Sequence, residues 1–365
     1  MAPVLFGLLW LMIAPSFGAV TPFSGVVSIS VGTDFSCAVR NDGTVWCWGS
    51  NDAGQLGVAT PPLANGTRIA LNPVRLPTLS NATTVASGWA HSCLLRSDGT
   101  VWCWGSNGAG QLGNGTRADS PVPVKVIGLP ATKSIHLGAT SSCAVTQSDQ
   151  AWCWGDFYSL NGGLLAGPRT DAQLSIPTLI ASLSGVRSIA LDVNEACAVL
   201  FSGQAYCWGD SSNGRIGDGG STFYPATPQR VSGLNDAESI AIGKGVCVVR
   251  RTGTVSCWGE YAPVSNVEGG LQASVPTDID IGASITAIFS GRARCALTLE
   301  ATVVCWGSST ANFGAGDNPY PYVEIKGAIA PLLGGRVSSL AMGRTHACAL
   351  MADTQVKCWG DPWGR

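Results

Sequence analysis

The sequence predicts an all-β fold, a seven-bladed β-propeller with one disulfide in the hairpin of each blade. Three observations carry this. The fourteen cysteines form seven pairs with nine residues inside each pair. The pairs recur at a nearly constant interval. Every second cysteine is followed by Trp-Gly.

The pairs are Cys37 and Cys47, Cys93 and Cys103, Cys143 and Cys153, Cys197 and Cys207, Cys247 and Cys257, Cys295 and Cys305, and Cys348 and Cys358. Their first members are separated by 56, 50, 54, 50, 48 and 53 residues. A period of roughly 50 marks a solenoid, a propeller or an array. The 365 residues carry 47 Gly and 13 Trp but only 12% charged residues, as suits a β-rich fold with tight turns. A formal net charge of −2 with no basic run gives no electrostatic footprint for nucleic acid.

The N-terminus reads as a targeting segment. Val4 to Ala14 is an apolar run, and Ser16-Phe17-Gly18 supplies small residues at −3 and −1. Residues 1–18 are therefore expected to be a cleaved signal peptide and 19–365 the propeller. After cleavage no membrane span is expected. Export places the cysteines in an oxidising compartment.

Each cysteine pair brackets a turn. Asn41-Asp42-Gly43 and Ser97-Asp98-Gly99 sit between apolar runs, and Gly recurs at Gly203 and Gly253. Such loops favour Gly in a left-handed conformation. Asp149, Ala301 and Thr354 stand there in units three, six and seven, so those turns are expected to differ. If Arg40 and Thr44 close the first turn, Cys37 and Cys47 oppose each other on adjacent strands. Their Cα atoms are then about 4.5–5.5 Å apart, within disulfide reach. Seven local disulfides follow. Zinc-binding pairs stand about two to four residues apart, so metal binding is not expected.

The tryptophans after the second cysteines are Trp48, Trp104, Trp154, Trp208, Trp258, Trp306 and Trp359. Neighbouring strand residues face opposite sides, so each Trp points away from its own disulfide and into the junction between blades. Between hairpins lie two further apolar segments, such as Pro121–Leu129 and Thr132–Gly138. Four strands per unit make a propeller. The first and last units are expected to share one incomplete complement of strands. The N-terminal strands then close the ring on the last hairpin, with Ala19–Ser24 supplying the outer strand.

Gly88, His91, Asp98-Gly99, Trp104-Gly105-Ser106-Asn107 and Gly110-Gln111-Leu112-Gly113 form the most complete unit. Unit one has Gly32, Trp48-Gly49-Ser50-Asn51 and Gly54-Gln55-Leu56-Gly57, with Phe35 at the His position. Unit four has Gly214-Arg215-Ile216-Gly217, and unit seven has Gly343 and His346. These units resemble the repeats of the regulator of chromosome condensation family over about residues 25–360. The resemblance implies a seven-bladed propeller. Family activities range from nuclear exchange on a small GTPase to secreted inhibitors, receptor ectodomains and ubiquitin-ligase modules. The paired cysteines and the leader resemble its exported branch.

No catalytic site or cofactor is expected. His91 and His346 share one repeat position and read as structural, and His136 reads as a hydrogen-bonded strand residue. The Gly-rich Gly217–Ser221 lacks the Lys of a phosphate loop. Asp278–Gly282 lacks the remaining ligands of a calcium loop. What varies is the segment after each Cys-Trp-Gly. Tyr158, Arg169, Tyr224, Tyr261, Tyr320 and Tyr322 are the candidate binding residues there. Asn65, Asn81 and Asn114 lie in sequons and are glycosylated where the host has that machinery. The expected function is non-enzymatic recognition of an extracellular protein or glycan by a monomer. The alternatives are inhibition of an extracellular enzyme and, behind it, nucleotide exchange on a small GTPase.

Overall fold

In the computed structural model the described residues are 23–63, 65–156, 173–220, 225–243, 245–259, 273–291, 294–306, 327–328 and 333–360. They form seven antiparallel sheets in chain order, six of four strands and one of three. Blade 1 comprises β1 (Val26–Val31), β2 (Phe35–Arg40), β3 (Val45–Ser50) and β4 (Ile69–Arg75), paired in that order. Blades 2 to 6 repeat it over 82–125, 132–179, 186–230, 237–279 and 285–328. Blade 7 contributes three strands over 337–360.

All fourteen cysteines are paired within their own hairpins. Cys37 lies directly opposite Cys47 in the β2–β3 register, and each of the other pairs matches this. The Cα separations are 4.0–4.1 Å, tighter than the spacing expected for opposed residues.

The turns of units three, six and seven do not differ from the rest. Asp149, Ala301 and Thr354 adopt φ of 61°, 61° and 69°, in the left-handed region that Gly43 occupies at 73°. The reason lies in the neighbouring blade. The carbonyl of this turn residue accepts the first inner-strand N–H of the next blade. The pairs are Gly43 with Ala82, Gly99 with Thr132, Asp149 with Val186, Gly203 with Ala237, Gly253 with Ile285, and Ala301 with Val337. Satisfying that donor fixes the turn whichever residue occupies it.

The same bond closes the ring, from Val26 N–H to the Thr354 carbonyl at 3.2 Å. Gly25 N–H also reaches Thr354 Oγ1 at 3.0 Å. Among the described residues blade 1 has four strands and blade 7 has three, so one strand is short of a full set at this closure. Among the described leader residues, Phe23 packs edge-on to Trp46 and Trp48, each 5.9 Å away, and Ser24 accepts from Arg40. Residues 23–25 thus lie against blade 1, while 19–22, the rest of the segment expected to supply the outer strand, lie outside the described residues.

The core sits between blades. Trp104 shares a buried cluster with Cys37 and Cys47 of blade 1. Trp154 packs with Cys93 and Cys103, Trp208 with Cys143 and Cys153, and Trp258 with Cys197 and Cys207. Trp306 packs with Cys247 and Cys257, Trp359 with Cys295 and Cys305, and Trp48 with Cys348 and Cys358. Each indole thus covers the disulfide of the preceding blade, all the way round. A Trp buries a large apolar area at each joint.

Candidate functional site

A four-stranded blade sends its first-to-second and third-to-fourth connections to one end of the ring and its hairpin turns to the other. The first end, here termed the loop face, carries the variable segments. Two of these are ordered by one device. Asn51 Oδ1 accepts from Leu56 N–H at 2.9 Å, and its amide donates to the Val58 carbonyl at 2.7 Å. Asn107 does the same with Leu112 and with the Thr116 and Ala118 carbonyls. The family-like Asn and Gly-Gln-Leu-Gly are therefore loop braces. The Gln55 and Gln111 carbonyls then accept the indole N–H of Trp104 and Trp154, both at 2.8 Å, and Arg215 accepts that of Trp258 at 2.7 Å. The indole nitrogens of Trp208 and Trp306 have no hydrogen-bond partner among the described residues.

At the channel mouth the backbone turns of successive blades touch. A Cβ on Gly88 would lie 2.5 Å from the Gly138 carbonyl, and one on Gly343 would lie 2.3 Å from that of Gly32. Only Gly permits such approach without displacement. Behind the ring, a central cavity of about 210 Å³ is lined by residues including His136, Leu137, Leu191, Ile242, Phe289 and Met342.

The residue after the ring glycine faces out. Trp89 is 42% exposed, and the Arg344 guanidinium lies over its ring at 5.8 Å from the centroid. Thr345 Oγ1 donates to the Thr33 carbonyl at 2.7 Å. A repeat-breaking aromatic in the slot between Gly88 and His91 was the signal that could have singled out Trp89; attention to the segments after Cys-Trp-Gly missed it.

Blade 4 departs from the pattern. Asp192 stands at the ring-glycine position and Glu195 at the His position. Arg215 bonds Glu195 at 2.6 Å, the Gly243 carbonyl of blade 5 at 2.7 Å, and reaches Asp192 at 3.7 Å. Burial pushes the Glu195 carboxyl up to about 8 against the pull of Arg215. Burial also raises Asp192, again opposed by Arg215. Glu195 lies close to Cys197 and Cys207, but their sulfurs are bonded to each other and offer no thiolate to a metal.

His91 Nε2 lies 3.0 Å from Ser142 Oγ of blade 3, and His346 Nε2 lies 2.7 Å from Ser36 Oγ of blade 1. A Ser–His contact invites a nucleophilic reading. Yet His91 and Ser142 are both fully buried, and Ser142 Oγ donates to the Gln111 carbonyl at 2.9 Å. His91 Nε2 is then the protonated nitrogen, and burial holds its pKa down at about 3. The pair joins blades. His136 bonds Ser134 Oγ at 3.0 Å.

Tyr158, Arg169, Tyr224, Tyr261, Tyr320 and Tyr322 lie outside the described residues. Among the sequons, Asn65 and Asn81 are exposed and Asn114 is half-buried. Asn65 and Asn114 each accept the hydroxyl of their own sequon threonine, at 2.7 and 2.9 Å.

Models of the Regulator of chromosome condensation (RCC1) repeat match residues 42–95, 98–145 and 202–249, and a second model of the repeat matches 26–55 and 82–111. RCC1 repeats thus account for residues 26–145 and 202–249 of the chain. The match at 42–95 starts in the hairpin turn of blade 1 and ends in the second strand of blade 2, so an RCC1 repeat is staggered against the blade. The RCC1 domain-containing mitochondrial protein RUG3 of Arabidopsis thaliana is 25% identical over 353 residues, covering 89% of this chain and 76% of that one. Human E3 ubiquitin-protein ligase HERC2 is 28% identical over 361 residues. The match spans 95% of this chain but only 6% of HERC2, so the ligase activity belongs to a far longer protein. In fold, this RCC1 propeller is similar to human WBSCR16, with TM-score 0.76, 20% identity, and 91% and 88% of the two chains covered. It is also similar to Saccharomyces cerevisiae Prp20p, with TM-score 0.74, 19% identity, and 92% and 82% covered.

Proposed function

We propose that this RCC1 propeller is an exported, non-enzymatic binding protein that engages a protein or glycan through its loop face. The observation that carries this is the exposed Trp89 held under Arg344 at the channel mouth. Trp and Arg are the side chains most enriched among residues that dominate protein interfaces. They stand on the face to which the variable segments connect, on a frame braced by seven disulfides. Fourteen paired cysteines support an oxidising compartment. No helix among the described residues is long and apolar enough to cross a membrane. The buried Ser–His pair supports a structural role for the histidines.

The test is capture. The folded protein and its Trp89→Ala/Arg344→Ala variant are immobilised and exposed to extracellular fractions of the host. The reading expects a partner retained by the first and lost by the second. Equal retention by both, or none by either, would sink it. Intact mass addresses export separately: a mature chain that retains residues 1–18, or alkylates fourteen cysteines without reduction, would refute it.

A further inference from the structure

The connectors on the hairpin face of blades 1 to 4 share a pattern that blade 5 breaks; blade 6 has the same aliphatic-glycine order as blade 5, at Leu333-Gly334, with Leu333 buried. After the outer strand of blades 1 to 4, a buried aliphatic residue is followed three positions later by a leucine. The pairs are Leu76 and Leu79, Val126 and Leu129, Ile180 and Leu183, and Val231 and Leu234. Each first residue pairs with the equivalent point of the third strand: Val45, Val101, Ala151 and Ala205. In blade 5 the residue opposite Val255 is Ile279, and three positions on stands Gly282. The order Gly128-Leu129 and Gly233-Leu234 has become Ile281-Gly282. The left-handed glycine has moved one place, to φ 75°, and the leucine is gone.

The leucine leaves a space. A cavity of about 360 Å³ opens there, between the Thr252–Val255 turn and the 278–285 connector. Its apolar walls are Val255, Ile279, Ile281 and Ile285, and a Cβ on Gly282 would meet nothing within 4 Å. Ile281 packs only partly into the blade 5 cluster. At the rim, the exposed Asp280 uses one carboxylate oxygen on the Gly282 N–H and makes no ion pair among the described residues. Leu299, 66% exposed, sits alongside, its N–H bonded to the Ser284 carbonyl.

We propose that this notch is a peptide-docking site that takes a leucine side chain of a partner protein, presented beside a lysine or arginine. The chain itself shows what fits: four of its other connectors place a leucine at this point. Asp280 supplies the charge that selects a basic neighbour. Leu299 extends the apolar surface past the notch. An aliphatic anchor in a preformed pocket with a rim charge is a common mode of peptide recognition. The notch lies on the face opposite Trp89 and does not depend on that site.

The experiment labels isoleucine δ1 methyls in the whole protein and titrates acetyl-Gly-Lys-Leu-Lys-Gly-amide. The expected result is saturable shifts of the Ile279, Ile281 and Ile285 methyls, with Ile135 and Ile189 unmoved. Replacing the peptide leucine by alanine weakens binding about tenfold or more, since most of the anchor's buried area is lost. Replacing both lysines by glutamate weakens it severalfold. The Ile281→Gly/Gly282→Leu variant, which restores the blade 2 order, keeps the fold and loses the shifts at Ile279 and Ile285. Asp280→Asn retains the turn and is a second check, with weaker binding to the lysine peptide only. Trp89→Ala leaves the titration unchanged. No shift at millimolar peptide, or equal binding by the refilled variant, would overturn the proposal. So would a concentration-dependent dimer that the refilled variant abolishes, because the notch would then serve a second copy of this chain.

Discussion

The indole N–H of Trp104 in blade 2 donates to the carbonyl of Gln55 in blade 1 across 2.8 Å. The same bond recurs for Trp154 and Trp258 and is missing at Trp208. Trp104 and Trp208 are both fully buried, so they form a matched pair. Trp104→Phe and Trp208→Phe remove similar volumes, but only the first breaks a hydrogen bond. Trp104→Phe is expected to cost about 1–2 kcal/mol more in denaturant unfolding. Equal costs would show that the Gln55 carbonyl contributes nothing.

Stability falls on acidification through His91. Its folded pKa is about 3, below an ordinary value of 6.5. Below pH 6.5 the unfolded chain takes up a proton that the folded chain refuses, so stability drops as pH falls towards 3. His136, held at about 4 by burial, acts in the same direction. His91→Gln should flatten the dependence of Tm on pH between 6.5 and 4. An unchanged slope contradicts the assignment.

Above about pH 8, where the Glu195 carboxyl is ionised, Arg215 is compensated mainly by Glu195. Glu195→Ala leaves a largely buried guanidinium with Asp192 at 3.7 Å, and is expected to cost about 3–5 kcal/mol. Adding Arg215→Met to that variant should recover part of the loss. A double variant less stable than the single one would show that the cost lies in packing and not in the unpaired charge.

Ala301 carries a Cβ at φ 61°. Ala301→Gly removes left-handed strain of about 1–2 kcal/mol and adds back unfolded-chain entropy of about 0.4–1 kcal/mol. A net gain of about 0.5–1 kcal/mol is expected in chemical denaturation. Thr354→Gly should gain less, because Thr354 Oγ1 accepts from Gly25 at the ring closure.

Breaking one disulfide should be felt one blade away. Cys143→Ser/Cys153→Ser is expected to cost about 3 kcal/mol through chain entropy. It also removes the surface on which Trp208 packs. Disulfides quench indole emission on contact, so Trp208 should brighten. Unaltered emission would mean that the indole does not sense the neighbouring bridge.

What could be read in the sequence followed from local geometry. Cys37 and Cys47 face each other because a hairpin forces them to, and a fixed spacing reports that. The outward direction of the tryptophans follows from strand alternation. What could not be read depends on the next blade. Asp149, Ala301 and Thr354 lie in ordinary turns because a neighbour's N–H needs their carbonyls, and no turn propensity records such a demand. Trp89 and Arg344 come from blades 2 and 7 and meet past the intervening blade 1. Arg215 at a glutamine position and Glu195 at a histidine position are each unremarkable alone. Their meaning appears when both are buried together.

The junction between blades 7 and 1 is assembled from the parts used at the other six: Thr354 with Val26, and Trp48 over Cys348 and Cys358. His346 with Ser36 repeats the clasp that His91 makes with Ser142. That seam is the one joint where no backbone crosses from blade to blade. A circular permutant that joins blade 7 to blade 1 by a short linker and opens at another connector would carry the break to a joint closed by the same turn carbonyl and indole–disulfide contact.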